Sequence, residues 1–335
     1  MGAEKKHKLI VLNALMALGF IAVVVLSLFV GPTSLGVSDV ALSLIGHGGE
    51  ATDIIIYDIR LPRTLLAILL GASLGMGGAA LQGLFQNPLA EPGVIGITAS
   101  AGLGAVVALY FGLAGAFSLA LPLFAFGGAL IATFLLLKLA LKDASVLALI
   151  LTGIAINALA GALTALALNL SPNPYALNDI WLWLMGSVAN RSMNEVIMVT
   201  PFVFVGAVLL FMARRGLDAM VLGRDVVKSL GVSLPKLFRR VVLGSSLAVG
   251  AAVSATGAVG FVGLVVPHLL RPVFGHEPSR LMLPSAIGGA IMVILADILV
   301  RVLPGGQELR LGVVTALVGA PFFLHLIAST RKGMR

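Results

Sequence analysis

Apolar runs of about 20 residues, the length a helix needs to cross a hydrocarbon layer, recur from one end of this chain to the other. Ten such spans are read near residues 9–30, 62–83, 94–112, 115–138, 146–169, 194–213, 238–257, 258–271, 281–301 and 311–330, the eighth being short. With 335 residues, 11% of them charged, and a mean hydropathy of +1.10, the chain has too little polar surface to wrap a soluble globule. The expectation is an all-α polytopic membrane protein. The first span follows Lys5, Lys6 and Lys8 as a signal peptide would. It is longer than an ordinary signal core, however, and has no small-residue cleavage site before Gly31-Pro32, so it is expected to remain as a span.

Lysine and arginine near span ends favour the cytoplasm, whereas acidic residues contribute little. With ten spans and both termini inside, 17 of the 22 basic residues fall in cytoplasmic segments; only Arg60, Arg63, Arg191, Arg301 and Arg310 fall outside. An odd number of spans would move Arg331, Lys332 and Arg335 to the wrong side. The net charge of +8 therefore reflects topology, not nucleic-acid binding. Seven basic residues, Arg214, Arg215, Arg224, Lys228, Lys236, Arg239 and Arg240, crowd into one connection, which marks it as a cytoplasmic loop able to meet another protein.

No soluble domain or low-complexity tract interrupts the pattern, so residues 1–335 read as a single membrane domain whose longest polar connections are 31–61, 170–193 and 214–237. In the first, Ser38 and Asp39 are expected to cap a short helix through Ile45, which Gly46, Gly48 and Gly49 then break. In the second, Trp181 and Trp183 suit an interfacial belt. Gly71, Gly75 and Gly78 are expected at a packed interface, within the bundle or between subunits, because small residues let helices approach closely in lipid. Gly71-Ala72, Gly78-Ala79 and Gly83-Leu84 reappear as Gly250-Ala251, Gly257-Ala258 and Gly263-Leu264, a weak echo of the kind that internal repeats leave.

Asp297 stands out as a carboxylate within an apolar span, where burying a charge is expensive and functional sites concentrate. It reads either as a proton or ion site or as the structural partner of Arg301, four residues on along the same helix face. The five histidines lack HExxH or paired spacing, and the chain has no cysteine, so no metal ligand set is expected. His268, between Pro267 and Arg271 at a span's end, reads as part of a helix stop. No Ser-His-Asp or dicarboxylate group can be assembled, and no Walker A sequence is present. Gln82, Asn87 and Pro88 lie in QGLFQNPLAEPG, where Pro88 and Pro92 forbid a continuous helix and force a sharp re-entry.

Several motifs in order then carry a resemblance: Arg60-Leu61-Pro62-Arg63, GASLGMGGAALQGLFQNPLAEPGVIGITASAG from Gly71, GFVGLVVPHLLRPVFG from Gly260 (which holds Pro267 and His268), Ala296-Asp297 with Arg301, and Glu308 followed by GVVTALVGAPFF from Gly312. Nearly end to end, the chain resembles the FecCD-type permeases of type II ABC importers for cobalamin, ferric siderophores and haem. The resemblance implies a ten-helix transport subunit of the bacterial inner membrane that is not an enzyme. It would pair with a second copy, two cytoplasmic ATPases and a periplasmic or lipid-anchored substrate-binding protein. It would bind no cofactor of its own, ATP and magnesium residing on the ATPase. It also implies that LGRDVVKSLGV couples to the ATPase through Leu222, Gly223, Val226, Val227, Leu230 and Gly231. Arg60, Arg63 and Arg301 would meet acidic groups of the binding protein, and a gate would lie at Asp143, Ala144, Ser145, Val146 and Leu147. An ion-coupled secondary transporter is the alternative reading.

Overall fold

The computed structural model describes residues 3–140, 145–171, 173–303 and 309–333. Among them fourteen α-helices follow one another: α1 (Ala3–Phe29), α2 (Val37–Leu44), α3 (Glu50–Asp53), α4 (Leu61–Phe85), α5 (Ile97–Tyr110), α6 (Ala120–Ala140), α7 (Val146–Asn169), α8 (Pro174–Leu184), α9 (Met193–Val221), α10 (Arg224–Ser229), α11 (Leu234–Thr256), α12 (Val262–Phe274), α13 (Pro278–Val302) and α14 (Leu311–Gly333). The ten expected spans correspond to α1, α4, α5, α6, α7, α9, α11, α12, α13 and α14. Seven helical stretches are long and apolar enough to cross a membrane; α5, α12 and the described apolar part of α14 are shorter.

Helices α4 and α11 occupy the middle of the bundle, whereas α1 and α7 lie at its margin. The margin presents Ile131, Phe134, Leu151, Phe204 and Leu317 outward. In water such a surface would drive aggregation, but against lipid tails it costs nothing, and close packing must hold the helices together instead. Glycines provide that packing. A methyl group on Gly71 would collide with the backbone of Gly289 on α13, one on Gly75 with Ser285, and one on Gly78 with Gly263 on α12. The expected glycine interface thus lies within the bundle. The echoing glycines do different work: Gly257 is a helix stop at φ +77°, not a mid-helix contact like Gly78.

Helix α5 has 14 residues and α12 has 13. At 1.5 Å per residue each spans only about 20 Å, against a hydrocarbon core of about 30 Å. Each is preceded by irregular backbone, residues 86–96 and 257–261, of which 90–96 and 257–259 are buried or half-buried in the protein, where lipid cannot strip polar groups of partners. The third span therefore begins at Ile97, after a 3-10 turn over Pro92–Ile95 and Gly96 at φ +82°, and not at residue 94.

Three further expectations are corrected. The connection 31–61 ends in helix, for Glu50 to Phe85 is continuous: the turns over Ile54–Arg60 widen to π-helix just before Pro62, whose ring and missing N–H disfavour ordinary α-helical bonding there. Helix α2 starts at Val37, one residue before Ser38, so Gly36 is its N-cap and neither Ser38 nor Asp39 caps it. Trp181 is exposed as an interfacial residue would be, but Trp183 is buried in the core.

Candidate functional site

The apolar length that makes α1, α4 and α13 span also brings three of their ends together, and there the polar residues concentrate. Arg63 Nε donates to Asp297 Oδ1 at 2.9 Å and Oδ2 at 3.2 Å, with a terminal nitrogen 2.9 Å from Oδ1. Arg301, one turn beyond Asp297 on α13, donates from Nε to Oδ2 at 2.9 Å, and its Nη2 also reaches Oδ2. Arg301 Nη1 donates to the carbonyls of Ser27 at 2.8 Å and Val30 at 3.0 Å, near the end of α1, while Ser27 Oγ lies 2.8 Å from Thr64 Oγ1. Arg60 donates to the carbonyls of Leu28, Phe29 and Thr33 at 2.7, 2.8 and 2.7 Å.

Those carbonyls at the end of α1 would otherwise lack helical donors, and the arginines satisfy them. Asp297 is 1% exposed, Arg60 3%, and Arg63 and Arg301 7% each. Of the two readings of Asp297, the ion pair with Arg301 is present, and Arg63 is an added partner. In this chain the three arginines expected at a partner surface turn inward and tie helix ends.

A second cluster sits near the other end of α4 and explains why Gln82 and Pro267 recur in one motif set. Pro267, inside α12, has no N–H to offer the carbonyl of Gly263 one turn earlier, which leaves a buried acceptor without its helical donor. Gln82 Nε2 lies 3.3 Å from the oxygens of both Gly263 and Leu264, and its Oε1 accepts from Arg271 Nη2 at 2.6 Å. One carboxamide thereby joins α4, the proline break and an arginine. Asn87 Oδ1 accepts from Leu89 N at 2.9 Å, the turn that Asn before Pro88 favours. His268 does not stop α12, which continues to Phe274 and ends at Gly275, φ +97°. Its ring instead meets the edge of Phe322 on α14, centroids 6.0 Å apart.

Beyond α9 the chain turns at Gly223, φ +101°, forms α10 and turns again at Gly231, φ +72°. Left-handed backbone of this kind is nearly free for glycine and strained for other residues. Leu222, Val226 and Leu230, spaced by four, are all exposed, at 65, 39 and 60%, while Val227 is fully buried. The structure thus displays three of the four apolar residues singled out in this segment and turns the fourth inward as its anchor. Of the expected gate residues, Asp143 and Ala144 lie outside the described residues. Ser145 caps α7, its Oγ accepting from Ala148 N at 3.4 Å; Val146 is half-buried and Leu147 exposed.

Between these clusters lies a cavity of about 660 Å³, lined by residues including Leu74, Glu91, Met185, Phe261, Gly312 and Ala316. Its wall is irregular backbone held by main-chain bonds: Ser187 N to Thr256 O at 2.7 Å, and Leu311 N and Gly312 N to the oxygens of Gly186 and Met185, each at 3.0 Å. Glu91 and Phe261, the latter a non-glycine residue at φ +68° that caps the start of α12, both line the cavity. Glu91 and the strap at Met185–Gly186 were not singled out from the sequence. The glycine at 186, the prolines around Glu91 and the glycines at 257 and 260 were the available signals.

The FecCD transport family model matches residues 19–329. The chain belongs to the FecCD transport family. Among FecCD relatives, the ABC transporter permease protein YvrB of Bacillus subtilis is 40% identical over 288 residues, covering 84% of this chain and 80% of that protein. The vitamin B12 import system permease protein BtuC of Vibrio cholerae is 39% identical over 311 residues, covering 92 and 91%. A metal-chelate type ABC transporter solved in an inward-facing conformation superposes with a TM-score of 0.84 at 30% identity over 94% of this chain and 97% of that one. PsaBC from Streptococcus pneumoniae, at 16% identity, 85 and 94% coverage and a TM-score of 0.55, shares the fold. This FecCD chain is a multi-pass ABC importer permease, a transport subunit and not an enzyme, and ATP hydrolysis in its family belongs to a separate subunit.

Proposed function

We propose that two copies of this chain form an alternating-access pathway in the bacterial inner membrane, with both termini cytoplasmic, and carry a bulky metal chelate inward. Iron chelates (ferric siderophore or haem) are the first choice of cargo. The vitamin B12 permeases among the relatives keep cobalamin beside them. The cavity beside Glu91 and Phe261 forms part of the pathway wall. Two cytoplasmic ATPases, which hold the ATP and magnesium, engage the loop 214–237 through Leu222, Val226 and Leu230, with Val227 anchoring α10 and Gly223 and Gly231 setting its ends. A substrate-binding protein docks at the opposite end, where Arg60, Arg63 and Arg301 gather. Residues 143–147, of which Ser145 caps α7, serve as the gate.

The observation that carries this reading is the exposed apolar row Leu222, Val226 and Leu230, within α10 and on either side of it. Exposed leucines beside basic residues have no use in the isolated chain, but they suit a protein groove that buries them. Closure of the ATPase pair on ATP would move α10 and, through α9 and α11, the half-length helices around the cavity. An ion-coupled transporter would need a titratable intramembrane group with freedom to change its charge, whereas Asp297 is held between two guanidiniums. The test is cargo-stimulated ATP hydrolysis and uptake by the complex reconstituted with its ATPase and binding protein, across iron chelates, haem and cobalamin. Uptake by the permease alone, driven by a proton or sodium gradient, would contradict the proposal.

A further inference from the structure

A second cavity, of about 300 Å³, lies among the ends of α4, α9 and α12 and the start of α13, and its lining includes Gln82, Asn87, Val221, Arg271 and His276. The charge count puts this end on the cytoplasmic side. Val221 closes α9 and directly precedes Leu222, and both are exposed, so the cavity adjoins the apolar row of the α10 loop. Gln86, on the same wall, donates to the carbonyl of Met220 and ties the end of α4 to the end of α9.

The lining carries basic side chains and no acid. Arg271 gives one nitrogen, Nη2, to Gln82 Oε1 at 2.6 Å, which orients the guanidinium, while its Nε and Nη1 meet no acceptor among the described residues. His276 stands exposed beside it on the same lining. The carboxylates that flank these residues in sequence are engaged elsewhere: Asp218 Oδ1 accepts from Ser279 N at 2.9 Å, and Glu277 pairs with Arg280 at 2.7 Å. Neither lines the cavity.

A guanidinium oriented by one bond and open along its other edge suits a carboxylate, which accepts from it with charge assistance. We propose that this recess receives an acidic side chain of the cytoplasmic ATPase, so that Arg271 and His276 form a second docking contact beside the apolar row. The contact reaches the pathway by a route of its own. Arg271 is joined through Gln82 to the carbonyls of Gly263 and Leu264, and Gly263 also lines the 660 Å³ cavity, so a displacement of the guanidinium acts on the pathway wall without passing through α10. This inference rests on the permease reading above and adds a contact to it.

The test uses the full chain in nanodiscs of zwitterionic lipid, titrated with its purified ATPase at several salt concentrations. Arg271→Gln combined with His276→Gln should weaken ATPase binding by about tenfold and flatten its salt dependence, and Arg271→Lys should retain most of the affinity. His276→Gln alone, at an exposed position, should give part of the loss with the fold intact. Carbodiimide treatment of the Arg271→Lys and His276→Lys complexes should join the introduced amine to an Asp or Glu of the ATPase as an amide, with loss of water, and mass spectrometry of the cross-linked peptide identifies that acid. Unchanged ATPase affinity in the glutamine variants, or no such cross-link from either lysine variant, would overturn the proposal. So would unchanged ATPase affinity with lost binding of phosphatidylglycerol, which would make the recess a lipid headgroup site. A wild-type chain that binds no ATPase and drives no uptake with it would sink the permease reading, whereas normal ATPase binding indifferent to residues 271 and 276 would sink this inference alone.

Discussion

Arg63 and Asp297 form a buried, two-pronged ion pair although 234 residues separate them in the chain. Arg301 grips the same carboxylate from the next turn of α13. Helices α1, α4 and α13 are therefore fastened at one end by charge, and α4 and α13 also along their length by glycine packing.

Removing Asp297 should cost far more than removing an exposed acid, because it strands two buried guanidiniums. Breaking a buried pair from one side typically costs about 3–5 kcal/mol. Asp297→Ala should lower the thermal unfolding temperature in detergent more than Asp39→Ala on exposed α2, and a double-mutant cycle with Arg63→Ala should show strong coupling. Additive losses would show that the pair contributes little.

Gln82 should matter because of Pro267. Gln82→Leu strands the Gly263 carbonyl and the Arg271 guanidinium, and an unsatisfied buried polar group costs about 1–3 kcal/mol. Pro267→Ala restores the missing N–H, so the same Gln82→Leu change should be milder in that background. Equal stability losses in both backgrounds, measured by chemical unfolding in detergent, would separate the two residues.

Much of this architecture is legible in the sequence. Helix positions follow from apolar length, the interface glycines from their crowding on α4, and the Asp297–Arg301 pair from its four-residue spacing. What the chain order hides is contact between distant segments. Arg63 has no local cue that points to Asp297, and nothing near Gln82 announces a carbonyl orphaned by a proline some 185 residues later. The early start of helix at Glu50 was hidden by polar Asp53, Asp58 and Arg60, of which Asp53 and Arg60 spend their polarity on internal partners. His268 misleads because neighbouring prolines suggest a stop, whereas the bundle carries α12 on to Phe274.

Gly75 should tolerate even one methyl group poorly, since its helix touches the backbone of Ser285. Overpacking of this kind costs about 1–3 kcal/mol or more. Gly75→Ala should destabilise the protein and Gly127→Ala, which meets open space, should not. Comparable melting temperatures for the two variants would contradict the close approach of α4 and α13.

Docking of the binding protein at the arginine end should weaken with salt. Electrostatic contacts near a surface are screened over about 8 Å at physiological ionic strength. Affinity should fall between about 50 and 500 mM salt, figures of the order needed to span that screening range. Salt-independent affinity would place docking elsewhere.

The central claim is that the α10 loop passes the ATPase's motion to the helices through the exposed apolar row Leu222, Val226 and Leu230. The most direct measurement is cargo-stimulated ATP hydrolysis and uptake by the reconstituted complex carrying Leu222→Asp and Leu230→Asp, both exposed positions where the change should leave the fold intact. The account predicts a folded permease whose uptake is lost and whose ATPase no longer responds to cargo. Normal cargo-coupled transport by that variant would contradict it.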